Sequence, residues 1–241
     1  MPRGRAFRVF EGGIGKVPVD LVRLAKKSLN KGKRREFIGI DREIDVNALI
    51  KRARLSKPLS NLKLGVSCAT HALLALPKES TDLVYGSYLV NNLDHREASC
   101  ALPQLSCGGA FFAAAHRALR PGGRLILVQD KSEVVNLRRV AENFDLRLHA
   151  IRIPDEKAAK SSSWAIRMRS SSKKRAKYNK KYDRKITQAQ RAEGISSLDE
   201  LSQPTIFILR KPLKSNPRLG LQEQPSEVDV LREVFKKLLM R

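Results

Sequence analysis

Acid is what this chain is short of. Lysine and arginine number 48 against 24 aspartates and glutamates, a formal net charge of +24, with a pI near 10.5. Solubility does not require an excess of that size, and a polyanionic partner is its natural physical reading. Aromatics are few, 5% of residues with one tryptophan. Cys68, Cys100 and Cys107 are an odd set with no metal-type pairing, so a disulfide scaffold is excluded, no metal site is expected, and a reduced, cytoplasmic location is expected. No apolar run reaches the length of a membrane span, and Met1 to Arg5 lack the apolar core of a signal peptide. What remains, 41% hydrophobic residues over 241 positions, suffices for a real core.

The stretch from Arg8 to Asp41 organises that core. Arg8-Val9-Phe10-Glu11 is a short apolar run ending in an acid, followed by Gly12, Gly13 and Gly15. Lys16 to Lys27 carries Val17, Leu21, Val22, Leu24 and Ala25 at helical spacing, with Pro18 suited to a first turn. Glu36 to Asp41 reads as a buried strand. Such a strand–turn–helix–strand unit can hold a nucleoside at the carboxyl ends of its strands. Glycine lets backbone pass close beneath a ligand. The free N–H groups of a helix start favour negative or polar groups, and a carboxylate on the next strand can accept from ribose hydroxyls. The third glycine of a dinucleotide fingerprint is missing after Gly15.

Further along, Ile44 to Leu55 has the pattern of an amphipathic helix, and Leu62 to Val66 that of a third strand. Thr81 to Ser87 reads as a fourth strand. Pro103 and Gly108-Gly109 break the next segment into two short helices, the better one over Ala110 to Leu119. Pro121-Gly122-Gly123 marks a tight turn before a fifth strand from Arg124 to Val128. Ser132 to Phe144 is expected to be a helix capped by Ser132, Leu146 to Ile153 a half-exposed strand, and Thr205 to Leu209 a final one.

These pieces, in this order, resemble class I S-adenosylmethionine-dependent methyltransferases. Glu11, Gly13 and Gly15 match the spacing of that family's first motif, and Asp41 its second-strand acid. Arg117-Ala118-Leu119-Arg120-Pro121-Gly122-Gly123-Arg124-Leu125 matches the segment that leads into its fifth strand. The opening strand–helix–strand is also similar to that of the transfer RNA guanine-N7 methyltransferases. The resemblance implies a doubly wound, mostly parallel seven-stranded α/β sheet with helices on both faces. It implies S-adenosylmethionine as cofactor, with Glu11, Gly13, Gly15, Asp41, Cys68 and Ser87 around it. Two departures stand out. The acid usual after the third strand is replaced by Ser67-Cys68-Ala69-Thr70. The loop after the fourth strand lacks the family's substrate motifs and offers Asn91, Asn92, Asp94 and His95 as substrate contacts, with Asp94 and Glu97 equally readable as a helix capping box. No catalytic base is assigned. Methyl transfer is an in-line displacement in which positioning can supply much of the rate.

Between the last two strands lies a basic insertion, residues 154–204. Arg167, Arg169, Lys173, Lys174, Arg175, Lys177, Lys180 and Lys181 belong to a run in which Asp183 is the one acid from Lys157 to Arg191, and Trp164, Tyr178 and Tyr182 are interleaved. Cations for phosphates and rings for unpaired bases point to nucleic acid, with RNA preferred to DNA; a solvated basic loop is the plain alternative. Residues 1–212 are thus read as one methyltransferase-like domain, and 213–241 as a linker and amphipathic helix with an apolar stripe at Val228, Leu231, Phe235, Leu238 and Leu239, which can dock in cis or on a protein partner. The expected function is methyl transfer to RNA (tRNA or rRNA). The alternatives are an inactive relative that binds RNA or the ribosome, and a small-molecule methyltransferase. Oligomeric state is left open.

Overall fold

The computed structural model describes residues 5–14, 18–55, 57–87, 107–152, 173–174, 176–178, 180–181 and 185–213. It contains β1 (Phe7–Gly12), α1 (Val19–Asn30), β2 (Arg35–Asp41), α2 (Val46–Ala53), β3 (Leu62–Val66), α3 (Ala69–Ala75) and β4 (Thr81–Ser87). These are followed by α4 (Cys107–Ala118), β5 (Leu119–Asp130), α5 (Val134–Asn143), β6 (Arg147–Arg152), α6 (Gln188–Ala192), α7 (Leu198–Leu201) and β7 (Pro204–Arg210). The strands form one seven-stranded sheet in the order β3-β2-β1-β4-β5-β7-β6, with one strand antiparallel.

The order explains the layers. From β1 the chain steps outward to β2 and β3, then returns to β4 on the other side of β1, with the pairs from β3 to β5 parallel. Right-handed crossovers in opposite directions put their helices on opposite faces. Accordingly α1 packs with α2, and α3 packs with α4. On α1, Leu21, Val22 and Ala25 are buried, with Ile14 and Phe37 in the same core cluster as Leu21 and Ala25. On α4, Ala110, Phe111, Phe112, Ala114 and Ala115 are buried, and the Phe111 and Phe112 rings meet edge to face at 5.6 Å.

Several sequence expectations are corrected in detail. Pro18 is the cap residue of α1, one position ahead of the first turn, and its carbonyl accepts from the Val22 N–H at 3.3 Å. Gly108 and Gly109 lie inside α4 rather than breaking it, and Leu119 opens β5 instead of closing the helix. Pro121-Gly122-Gly123 belongs to a bulge within β5, where the register jumps from Thr81 opposite Leu119 to Leu83 opposite Arg124. Gly122 there has φ +76°, and a Cβ on Gly123 would lie 2.8 Å from the Arg120 carbonyl. Arg120 uses the bulge to bind the Ser80 and Glu79 carbonyls and the Asp82 carboxylate, the last at 2.7 Å. Ser132 is not an N-cap: Lys131–Glu133 form a 3-10 turn ahead of α5.

The chain divides into two compact units. One comprises Met1–Gln129, Leu137–His149 and Phe207–Leu213; the other includes Asp130–Asn136 and Ala150–Ile206. In the second unit the sequence reading missed α6 and α7. Each opens with a reciprocal capping box, Thr187 with Gln190 and Ser197 with Glu200. Ile195 and Leu201 between and within them are fully buried.

Candidate functional site

The carboxyl ends of β1 to β4 converge where the chain reverses direction, between β1 and β4. In open α/β sheets such a switch point is where ligands bind. On its two central strands Gly12 of β1 lies directly beside Gly86 of β4. Neither glycine carries a side chain, so at this register position the two strands meet backbone to backbone, both residues buried.

Past Gly12 the chain bends. Gly13 takes φ +69°, a conformation that glycine adopts at no steric cost. The N–H groups of Gly13 and Ile14 both donate to the Ile40 carbonyl, at 2.9 and 3.4 Å. Ile14 then plugs into the core beneath α1, 5% exposed, and anchors the bend. Asp41 is the next residue after Ile40. Its carboxylate accepts from the Arg42 N–H at 2.7 Å, and its carbonyl accepts from the Ser67 N–H at 2.9 Å. The ends of β1, β2 and β3 are thus laced in sequence, and Asp41 stands beside the bend.

The other expected residues fall as follows. Glu11 is half-buried in β1, between Gly39 of β2 and Tyr85 of β4. Cys68 stands at the start of α3 with a free thiol, and the Ser67 hydroxyl donates to the Cys68 carbonyl at 3.3 Å. Ser87 closes β4, one residue past Gly86. The structure therefore brings Glu11, Gly13, Asp41, Cys68 and Ser87 to the carboxyl ends of four adjacent strands. Gly15, Asn91, Asn92, Asp94, His95, Trp164, Arg167, Arg169, Arg175 and Tyr182 lie outside the described residues. Lys173, Lys174, Lys177, Tyr178, Lys180 and Lys181 are in helical backbone and exposed. Lys180 pairs with Asp199 at 3.3 Å, both side chains about two-thirds exposed, an arrangement that contributes little to stability.

Gly86 was missed from sequence. Its signal was its place one residue from the end of a strand that otherwise reads Val84-Tyr85 and buries both. Among the described residues, no group of three His, Cys, Asp or Glu is placed to hold a metal ion, and no helix is long and apolar enough to cross a membrane.

An α/β sheet of this order with its open end at the switch point has the Rossmann-like fold of class I S-adenosylmethionine-dependent methyltransferases. Among solved structures, the CMeT domain of the citrinin polyketide synthase superposes with a TM-score of 0.50 at 11% identity, over 88% of this chain and 48% of that one. Phosphoethanolamine N-methyltransferase 2 of Haemonchus contortus, solved with phosphomonomethylethanolamine and S-adenosylhomocysteine, gives 0.49 at 11% identity over 88% and 50%. An S-adenosylmethionine-dependent methyltransferase of Archaeoglobus fulgidus gives 0.47 at 14% over 86% of each chain. The chain spans about half the length of the first two. At these identities the likeness is one of fold. No protein-family model matches the chain, and no curated protein sequence does.

Proposed function

We propose that the chain is an S-adenosylmethionine-dependent methyltransferase acting on RNA, tRNA or rRNA. The observation that carries the cofactor half is the position of Asp41: one residue beyond the carbonyl that ties down the Gly13 bend, at the switch point of the sheet. There a carboxylate can accept from both ribose hydroxyls of a nucleoside, and the facing Gly12 and Gly86 put no side chain between the two central strands. Bound, the cofactor supplies an electrophilic methyl group on a sulfonium. The residues of this chain would hold it: Asp41 at the sugar, the Gly13 bend beneath it, Ser67 and Cys68 at the base with a hydroxyl and main-chain groups in place of an acid. Their task is orientation and exclusion of water.

The RNA half is supported by the net charge of +24 and by exposed lysines around the exposed ring of Tyr178 in the insertion. Calorimetry with S-adenosylmethionine tests the first half. Binding that is lost in Asp41→Ala while the melting temperature holds supports it; no heat at roughly millimolar cofactor, a concentration where even weak sites fill, overturns it. Transfer of labelled methyl from the cofactor to isolated RNA tests the second.

One observation favours a second reading, an RNA-binding protein of this fold without turnover: no acid follows β3, so the Ser67 hydroxyl, which donates to the Cys68 carbonyl, offers a neutral acceptor where a carboxylate would stand. That reading predicts salt-sensitive RNA binding with no cofactor heat.

A further inference from the structure

At the opposite end of the sheet from the Gly13 bend, the chain turns from α1 into β2. Residues 26 to 35 read Lys-Lys-Ser-Leu-Asn-Lys-Gly-Lys-Arg-Arg, four lysines and two arginines with no acid. Lys26, Lys27, Lys31, Lys33 and Arg34 are exposed, as is Arg5 at the start of the neighbouring strand. The turn is held firmly. Lys31 N–H donates to the Lys27 carbonyl, Gly32 N–H to Leu29, Lys33 N–H to Ser28 and Arg35 N–H to Lys33. The buried Ser28 hydroxyl donates to the Lys33 carbonyl at 3.3 Å, and Gly32 takes φ +60°. Phe7 N–H donates to the Arg34 carbonyl at 2.9 Å, which pins the turn to β1, and the Arg35 guanidinium lies 5.9 Å over the Phe7 ring.

Among the described residues, two acids near this turn, Glu36 and Asp82, are bound by cations of β1 and β5. Glu36 is bound by Arg8 at 2.8 Å, and Asp82 by Arg120 at 2.7 Å and by the Arg8 N–H at 2.7 Å. Offsetting the negative end of the α1 dipole needs a cation or two in the last turn; the set found here exceeds that need. Like charges gathered on one short turn repel one another, and a partner with evenly spaced negative charge relieves the repulsion. A ribose-phosphate backbone has that chemistry, and a turn whose main chain is already hydrogen-bonded loses little backbone freedom on binding it.

We infer that the Lys26–Arg35 turn is a nucleic-acid backbone site, separate from the cleft and fitted to RNA phosphates. At about 3.3 Å per strand residue, the six residues of β1 put Phe7 roughly 17 Å from Gly12. A small methyl acceptor cannot bridge that span; a folded RNA can. The site goes beyond the transferase reading and stands if that reading fails, because it needs neither cofactor nor cleft.

The test is binding of a fluorescein-labelled RNA hairpin to the full chain, without cofactor, across a salt series. The variant is Lys27→Gln, Lys31→Gln, Lys33→Gln together. The control, Lys51→Gln, Lys57→Gln, Lys63→Gln, removes the same charge from exposed positions on α2, the loop after it and β3. Losing three single-strand phosphate contacts lowers the slope of log K against log salt by about 2, which from 1 M to 0.1 M salt is about a hundredfold in affinity. The turn variant is expected to show that loss and the control much less, with melting temperatures unchanged. Calorimetry with S-adenosylmethionine on the turn variant is expected to match the parent chain, so failure of this site is read apart from failure of the cleft. Equal losses in both variants overturn the site in favour of bulk charge. No loss in either overturns it outright. Retained RNA binding with lost binding to phosphatidylserine vesicles overturns it in favour of a membrane surface.

Discussion

Gly39→Ala joins the core to the cleft in one substitution. Gly39 lies in β2 opposite Glu11, and an added Cβ would overlap Leu21 Cδ2 and come within 2.9 Å of Ile14 Cδ1 and 3.0 Å of Leu64 Cδ2. Leu21 and Ile14 are 3% and 5% exposed, so neither has open space to retreat into. Overpacking of this kind costs about 1–3 kcal/mol. Against it stands about 0.4–1 kcal/mol gained by stiffening the unfolded chain. With two buried side chains and the half-buried Leu64 in the way the central values apply, about 2 less about 0.7, leaving a net loss of about 1.3 kcal/mol, or roughly 3–5 °C in melting temperature for a chain of this size. Because Ile14 anchors the Gly13 bend, the methyl group should also weaken cofactor binding, whereas Asp41→Ala should weaken it without a thermal shift. Differential scanning calorimetry and cofactor titration of the two variants read this pattern. A Gly39→Ala chain with unchanged melting temperature would refute the packing argument.

Other outcomes follow from the buried ends of the sheet and the capped turns. Lys211, 9% exposed, donates to the His116 and Leu119 carbonyls at 3.0 and 2.8 Å and pairs with Glu79 at 3.3 Å. Lys211→Met keeps the volume but takes the ammonium donor away from the His116 and Leu119 carbonyls, and should cost about 1–3 kcal/mol in urea titration. His116, tilted against the Phe144 ring at 5.9 Å, is held below its ordinary pKa by burial first and by Lys211 second, against Asp145 and Glu79. Its unfolded form takes up the proton first, so stability should fall as pH drops below about 6.5 toward the lowered folded value, with no such term above it. His116→Gln should flatten that limb of the urea midpoint against pH. Ser197→Ala removes the acceptor for the Glu200 N–H and should lower stability by about 1 kcal/mol, checked by thermal melting.

The legible parts of this fold were those in which local pattern and tertiary demand agree. Arg8 to Phe10, Glu36 to Asp41 and Leu62 to Val66 are short apolar runs between turn residues, the first two partly buried and the third on the sheet edge, and all three are strands within a residue or two of the expected bounds. The place of Asp41 beside the glycine bend followed from their order. What could not be read was set by partners distant in sequence. Pro121-Gly122-Gly123 has the composition of a free turn, and becomes a bulge because Gly122 N–H donates to the Lys211 carbonyl and the Gly123 carbonyl accepts from the Lys211 N–H. Gly108-Gly109 has the composition of a break, yet sits in the first turn of a helix whose alanines and phenylalanines supply the burial. Thr187 and Ser197 did announce their helices through Gln190 and Glu200 three positions on, but helices of five and four residues are too short to show an apolar period.

Those two capped turns have a consequence for how the chain tolerates change. Their caps are satisfied within a few residues, and the Lys131 ammonium reaches the Gly194 carbonyl while Lys131 N–H donates to the Gln203 carbonyl, just ahead of Pro204. The starting point of β7 is therefore fixed by a short, self-contained clamp rather than by the length of chain that precedes it. The strand's start is thus set by Lys131 and residues 187–203 alone, so a substitution at Lys131 or at either cap is felt first at Pro204.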